Sequence, residues 1–287
     1  GEEYIQEWSW SVVLVTLLIS TVGAFTGLTI FAHLKYCTDR KWYIVFLLLA
    51  GMAIGVNTVW VMHFVGMNAL MLKGSAGDEI EVTFEVWFSV ASGLAAWVIV
   101  VIALHILGGR SVEERTTMNV NGFVRLAIAA LLVATGVCVM HYMGMTSQSG
   151  TFTMEYDAGI VALSAVIALI AASAGLFILL FFPDSTNVRV VSAVIIAIAV
   201  NGMHYTGMLS ASYYSTTSKQ VVLPGSLTLQ APGMIAAVFG MAGSFVIYTV
   251  SSYYLEIKKQ EFDAELLRMV KVKQDLAEGD KFSKELA

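Results

Sequence analysis

Long apolar runs alternate with short polar connections along this chain, and the runs are too long for the core of a soluble domain. Seven stretches, 10–32, 43–67, 85–107, 123–145, 158–182, 188–211 and 232–255, each supply the roughly 20 residues a helix needs to cross the hydrocarbon of a bilayer. None carries Asp, Glu, Lys or Arg in its middle, where each would cost about 2.5–3.5 kcal/mol. Glu85 and Arg125 stand near the starts of the third and fourth runs. The pattern predicts an all-α fold, a seven-transmembrane helix bundle over residues 1–255 with a helix of soluble composition over 256–287.

In that tail Leu255, Phe262, Met269 and Leu276 recur every seven residues, with Leu266 four after Phe262. This is a weak coiled-coil seam, and it predicts a homodimer through the C-terminal helix, ending its regular part near Gly279. About thirty residues cannot form a catalytic core, so an output domain is expected outside this chain.

Composition supports the membrane reading: 57% of residues are hydrophobic and 13% charged, about half the usual charged fraction. A net charge of −5 without a basic cluster argues against nucleic-acid binding. Two cysteines exclude a disulfide scaffold. Fourteen of the 16 basic residues lie in the tail or in and around alternate connections, while Lys73 and Lys219 alone lie on the other side. The positive-inside bias therefore places the C-terminus in the cytoplasm and the N-terminus outside, with the first run as a retained signal anchor.

Three segments repeat one pattern: Met62-His63-Phe64-Val65-Gly66-Met67, Met140-His141-Tyr142-Met143-Gly144-Met145 and Met203-His204-Tyr205-Thr206-Gly207-Met208. Each closes an even-numbered span, so the bundle reads as three tandem two-helix repeats plus a seventh helix. From the chain's own composition, the four flanking matches have a chance on the order of 10⁻⁵ around any given His. A bland role as gap-filling methionine and interfacial histidine explains one such copy but not three.

Residues four apart on a helix lie about 40° apart. His63 and Met67 thus share a face, as do His141 with Met145 and His204 with Met208, while Met62, Met140 and Met203 lie at its edge. If the even helices converge, imidazoles and thioethers meet in one pocket without a carboxylate. That donor set suits copper, because thioether selects Cu(I) and imidazole accepts either oxidation state. Cys138, one turn before His141, is a candidate accessory ligand, matched in the other copies by Trp60 and Asn201. The motif glycines are expected to let helix ends approach closely.

The triple Met-His-aromatic-x-Gly-Met pattern resembles the MHYT family of membrane sensor domains over roughly residues 10–255. The resemblance implies a sensory input domain that binds copper and, through it, a diatomic gas such as O2, CO or NO. It also implies signalling to a cytoplasmic output domain of the kind that makes or degrades cyclic dinucleotides. This chain departs from the pattern at Phe64, where the other copies have Tyr, so a tyrosine hydroxyl is not required in every copy.

Other functions fit less well. A copper channel or carrier needs Met or His at successive depths, and only Met52 and Met241 offer themselves. A membrane oxidoreductase needs a proton relay that the span middles lack. No nucleotide-binding motif is present, so the chain itself is not expected to be an enzyme. His33 and His105 end odd-numbered spans and are candidates for a second site, though interfacial histidines explain them as well. Cys37 is expected to be a free thiol, and Asn57 and Asn201 to make interhelical hydrogen bonds.

Overall fold

The computed structural model describes residues 1–34, 37, 39–108, 120–181, 185–220, 227–229 and 232–285. Among these, seven helices are long and apolar enough to cross a membrane. They are α1 (Trp10–His33), α2 (Arg40–Met67), α3 (Val86–Gly108), α4 (Val120–Thr146), α5 (Ala158–Phe181), α6 (Thr186–Leu209) and α7 (Pro232–Glu285). Asp39 and Ser185 cap α2 and α6 by accepting hydrogen bonds from the backbone N–H groups of Lys41 and Val188. The body is the expected seven-helix bundle, and the chain is a multi-pass membrane protein.

The first six helices close into a ring. Each packs on its neighbours in sequence, and α6 returns to pack on α1. The even helices α2, α4 and α6 also touch one another, as three tandem hairpins predict. Small residues allow the close approach, with Ala50, Ala129, Ala130, Ala168 and Ala197 buried at helix interfaces. Helix α7 lies outside the ring against α1 and α2.

Two features depart from simple spans. Over Met52–Val61 helix α2 is π-helical, immediately before the first motif. Helix α7 runs unbroken for 54 residues through Gly279, where the glycine was expected to end it. Leu255 is fully buried against the bundle, Phe262 is half-buried, and Leu266 and Met269 are exposed. The side chain of Leu276 lies outside the described residues.

The end of the bundle that bears the motifs carries β-structure, which the apolar pattern does not announce. Strand β1 (Ile5–Trp8) pairs antiparallel with β2 (Leu70–Lys73), tied by a 2.7 Å Lys73–Glu7 ion pair. Strands β3 (Thr83–Glu85), β4 (Gln148–Tyr156), β5 (Ala211–Gln220) and β6 (Thr228–Leu229) form a second sheet in the order β5-β4-β3-β6. Strands β2, β4 and β5 each begin within three residues of a motif, so the sheets rest on the motif ends of the even helices.

Candidate metal centre

Helices α2, α4 and α6 bring His63, His141 and His204 together although 78 and 63 residues separate them. All three side chains are buried. Their Nδ1 atoms form a nearly equilateral triangle: 3.1 Å from His63 to His204, 3.2 Å from His141 to His63, and 3.3 Å from His204 to His141. The rings stand nearly perpendicular to one another, at 79–86° with centroids 4.9–5.2 Å apart.

Neutral imidazoles cannot satisfy this triangle among themselves. Each carries one N–H and one lone pair, and a proton on one Nδ1 can bridge to only one neighbour. With the protons on Nε2, three lone pairs converge on one point, an arrangement that calls for a cation at the centre. Three nitrogens at these separations surround a point about 1.9 Å from each, against a metal–imidazole bond of about 2.0–2.1 Å for zinc. The triangle is thus of a size at which His63, His141 and His204 would together hold a first-row transition metal. Among the described residues, these histidines are the one group of three or more His, Cys, Asp or Glu side chains close enough to share an ion.

The motif glycines explain how the rings are seated. A β-carbon on Gly144 would collide with Nε2 of His63, one on Gly207 with Nε2 of His141, and one on Gly66 with Nε2 of His204. Each glycine therefore makes room for the imidazole of another copy, in cyclic order. The three Nε2 atoms are buried against these glycines, with the backbone of Gly207 beside His141 and that of Gly66 beside His204.

The six methionines divide into two layers. Met62, Met140 and Met203 belong to the main core of the bundle. Met67, Met145 and Met208 join Phe64, Phe84, Phe152 and Tyr213 in a second cluster under the sheet. There Gln148 Nε2 donates to the sulfurs of Met67 and Met145 at 3.8 and 3.7 Å. Both clusters exclude water, so the histidines lie in a dry, low-dielectric layer between them.

The residue after each His turns away from the centre. Tyr142 Oη is 2.7 Å from Ser164 Oγ on α5, and Tyr205 Oη is 3.0 Å from Thr16 Oγ1 on α1. Phe64 has no hydroxyl, and in that copy Trp60 Nε1 donates to Ser89 O at 2.8 Å and to Ser92 Oγ at 3.2 Å on α3. Asn201, at the position of Trp60 in the third copy, likewise reaches α1, donating to Ser20 Oγ at 2.9 Å. Cys138 occupies the same position in the second copy. It is half-buried on the main core and not part of the histidine group.

The remaining candidates lie elsewhere. His105 is exposed at the end of α3, its ring 6.5 Å from that of Tyr43, and the side chain of His33 lies outside the described residues. Burial pushes the Cys37 thiol up, against the lowering influence of Lys258, so it is no activated thiolate. Asn57 makes the expected interhelical bond, its Nδ2 donating to Ser244 Oγ on α7 at 2.7 Å. Sequence reasoning placed Glu85 at a span edge. The structure buries it completely, with both carboxylate oxygens unpartnered. Gln148 it missed altogether, since no local pattern marks a polar residue that will lie between two sulfurs.

Fold and site together define a multi-pass membrane protein whose internal repeats assemble one buried three-histidine centre. Residues 57–118 and 135–193 match the MHYT family, described as a bacterial signalling protein N-terminal repeat, so the first two motif-bearing stretches carry that family's repeat. The third motif, at Met203–Met208, lies beyond the matched stretches, yet its histidine completes the triangle. Among curated proteins the chain is 28% identical over 215 residues to the bifunctional diguanylate cyclase/cyclic di-GMP phosphodiesterase MucR of Pseudomonas aeruginosa, covering 73% of this chain and 29% of that one. It is 25% identical over 224 residues to the signaling protein YkoW of Bacillus subtilis, covering 75% and 25%. It is 24% identical over 210 residues to the cyclic di-GMP phosphodiesterase NbdA of Pseudomonas aeruginosa, covering 70% and 24%. The chain thus spans less than a third of the length of these relatives. No solved structure matches it.

Proposed function

We propose that this chain is a sensory input domain that holds copper on His63, His141 and His204 and reports a diatomic gas or a redox change. The observation that carries this reading is the triangle of Nδ1 atoms, 3.1–3.3 Å on a side, buried and free of carboxylates. Copper, when bound, supplies a redox-active centre able to take a small ligand such as O2, CO or NO. The protein's part is to aim three lone pairs inward, hold the rings against Gly66, Gly144 and Gly207, and exclude water with the two methionine layers. Met62, Met140 and Met203, one residue before the histidines, and Met67, Met145 and Met208, four residues after them, are the soft donors nearest this site in sequence.

The signal leaves through α7. Asn57 on the π-helical stretch before His63 is hydrogen-bonded to Ser244 on α7, which continues as one helix into the tail. A change in packing around His63 is thereby carried outward, provided the site's ligand binds two packings unequally. By likeness to relatives named for making or degrading cyclic di-GMP, the output is turnover of a cyclic dinucleotide by a soluble region outside this chain, which is itself not an enzyme. The bias of basic residues supports a cytoplasmic tail, and the exposed Leu266 and Met269 support a homodimer through it. A fluorescent reporter fused after Ala287 will be bright if the tail is cytoplasmic and dark if it is exported.

A copper channel or carrier fits less well. Beyond Met62, Met140 and Met203, the described interior on the tail side offers Val59, Val137 and Val200 rather than a further tier of copper ligands. The test is multi-element mass spectrometry of purified protein beside a triple His63→Ala, His141→Ala, His204→Ala variant. About one copper per chain, lost in the variant, is expected. Zinc in its place, or no metal in either protein after copper reconstitution, would contradict the reading.

A further inference from the structure

The main core contains a cavity of about 70 Å³ on the tail side of the histidine triangle. All six helices of the ring line it, and its lining repeats with the motifs. Val59, Val137 and Val200, each four residues before a motif histidine, all face it, and so does Met203, the neighbour of His204. Four residues are one helical turn, so the cavity begins about 6 Å below the level at which the histidines leave their helices. The repeat that builds the metal centre thus builds a second chamber beneath it.

The lining is almost wholly aliphatic. Thr58 is the sole polar side chain among the described residues around the cavity, and its hydroxyl already donates to Ala53 O at 2.9 Å. Water in a cavity needs two to four polar partners, and here it finds none unengaged, so the chamber is dry. Its size suits an atom or molecule far smaller than benzene, which enters an engineered apolar cavity of about 150 Å³. Toward α5 and α6 the walls include Ala171, Ile196 and Ala199, which are only half-buried and border the lipid. An apolar solute dissolved in the bilayer meets no polar barrier there.

We infer that this chamber is a binding site for a small, neutral, apolar molecule of diatomic size, held one helical turn from the histidine nitrogens. It rests on the proposed sensing role only for which molecule matters in the cell, because binding in the chamber itself needs no metal. Small side chains at Ala168, Ala172 and Gly175 keep the space open, and they set what fits.

Xenon is the probe. The full chain, freed of metal in lipid nanodiscs, is titrated with xenon and followed by 129Xe NMR against empty nanodiscs. A saturable site is expected in the wild type and in the triple histidine variant. It is expected to disappear in Ala172→Leu, which fills the chamber, and to strengthen in Val137→Ala, which enlarges it. Copper content of Ala172→Leu should stay at the wild-type level, which also shows that this variant is folded. Xenon uptake by the wild type no greater than that of empty nanodiscs overturns the inference, as does uptake unchanged in both cavity variants. Saturable xenon without any copper binding would leave the chamber standing and remove the metal reading. Copper without xenon would do the reverse.

Discussion

The cyclic contact between histidine and glycine gives the motif its spacing. In a helix the residue three after a histidine lies on nearly the same side, one turn on, and there a glycine meets the ring of another copy. Loss of such an orienting contact around a metal ligand typically costs 10–100-fold in metal affinity. Gly144→Ala, which drives a methyl into Nε2 of His63, is therefore expected to weaken copper binding in that range, measured by competition with a chromophoric chelator. Gly202, one residue before the third motif, has open space where a β-carbon would go, so Gly202→Ala should leave affinity unchanged. Equal effects of the two would show that the motif glycine is no seat for the ring. The imidazole cluster was legible in the sequence because it recurs. The seat was not, because it depends on which helix faces which, and general close packing was the nearest reading available. The role of Trp60 in standing in for a hydroxyl at Phe64 was hidden for the same reason.

At the scale of elements, the π-helical turn and the long seventh helix do the most to connect site to tail. Stretches of π-helix are rare and concentrate at functional sites, and this one occupies the one even helix that α7 packs upon. The Asn57–Ser244 hydrogen bond joins the two elements. Within a membrane such a bond is worth about 0.6 kcal/mol, too little to hold the bundle but enough to bias a balanced pair of packings. Asn57→Ala should keep its copper and lose the copper-dependent change in hydrogen exchange along the tail part of α7. The same change in both proteins would contradict this route. Both ends of the first six spans and the start of the seventh were readable to within about three residues from hydrophobic runs alone. The strands that cap the motif end were not, because Gln148–Tyr156 and Ala211–Gln220 pair across some sixty residues of sequence and carry too few apolar positions to stand out. Gly279 misled as a helix stop, since an isolated glycine costs only about 1 kcal/mol within a helix.

At the scale of the whole molecule, the architecture is one hairpin used three times and closed into a ring, which forces equivalent residues onto a common axis. That closure turns a weak local signal into a site: one histidine near a span end is unremarkable, but three on a pseudo-threefold axis converge. The same closure stacks the layers along the axis, from the sheet and outer methionines through the histidines to the inner methionines and the dry chamber. Copy number and fold class could be read from repetition and hydrophobicity. The division of the methionines into two layers could not, because it depends on the depth at which the helices cross.

The central claim is that the three imidazoles act together on one ion, and X-ray absorption at the copper edge of the reconstituted protein tests it most directly. The account predicts three nitrogen ligands at about 2.0 Å with the scattering signature of imidazole rings, and loss of that signature when any one of His63, His141 or His204 becomes Ala. A copper environment built from other ligands and indifferent to these substitutions would contradict it.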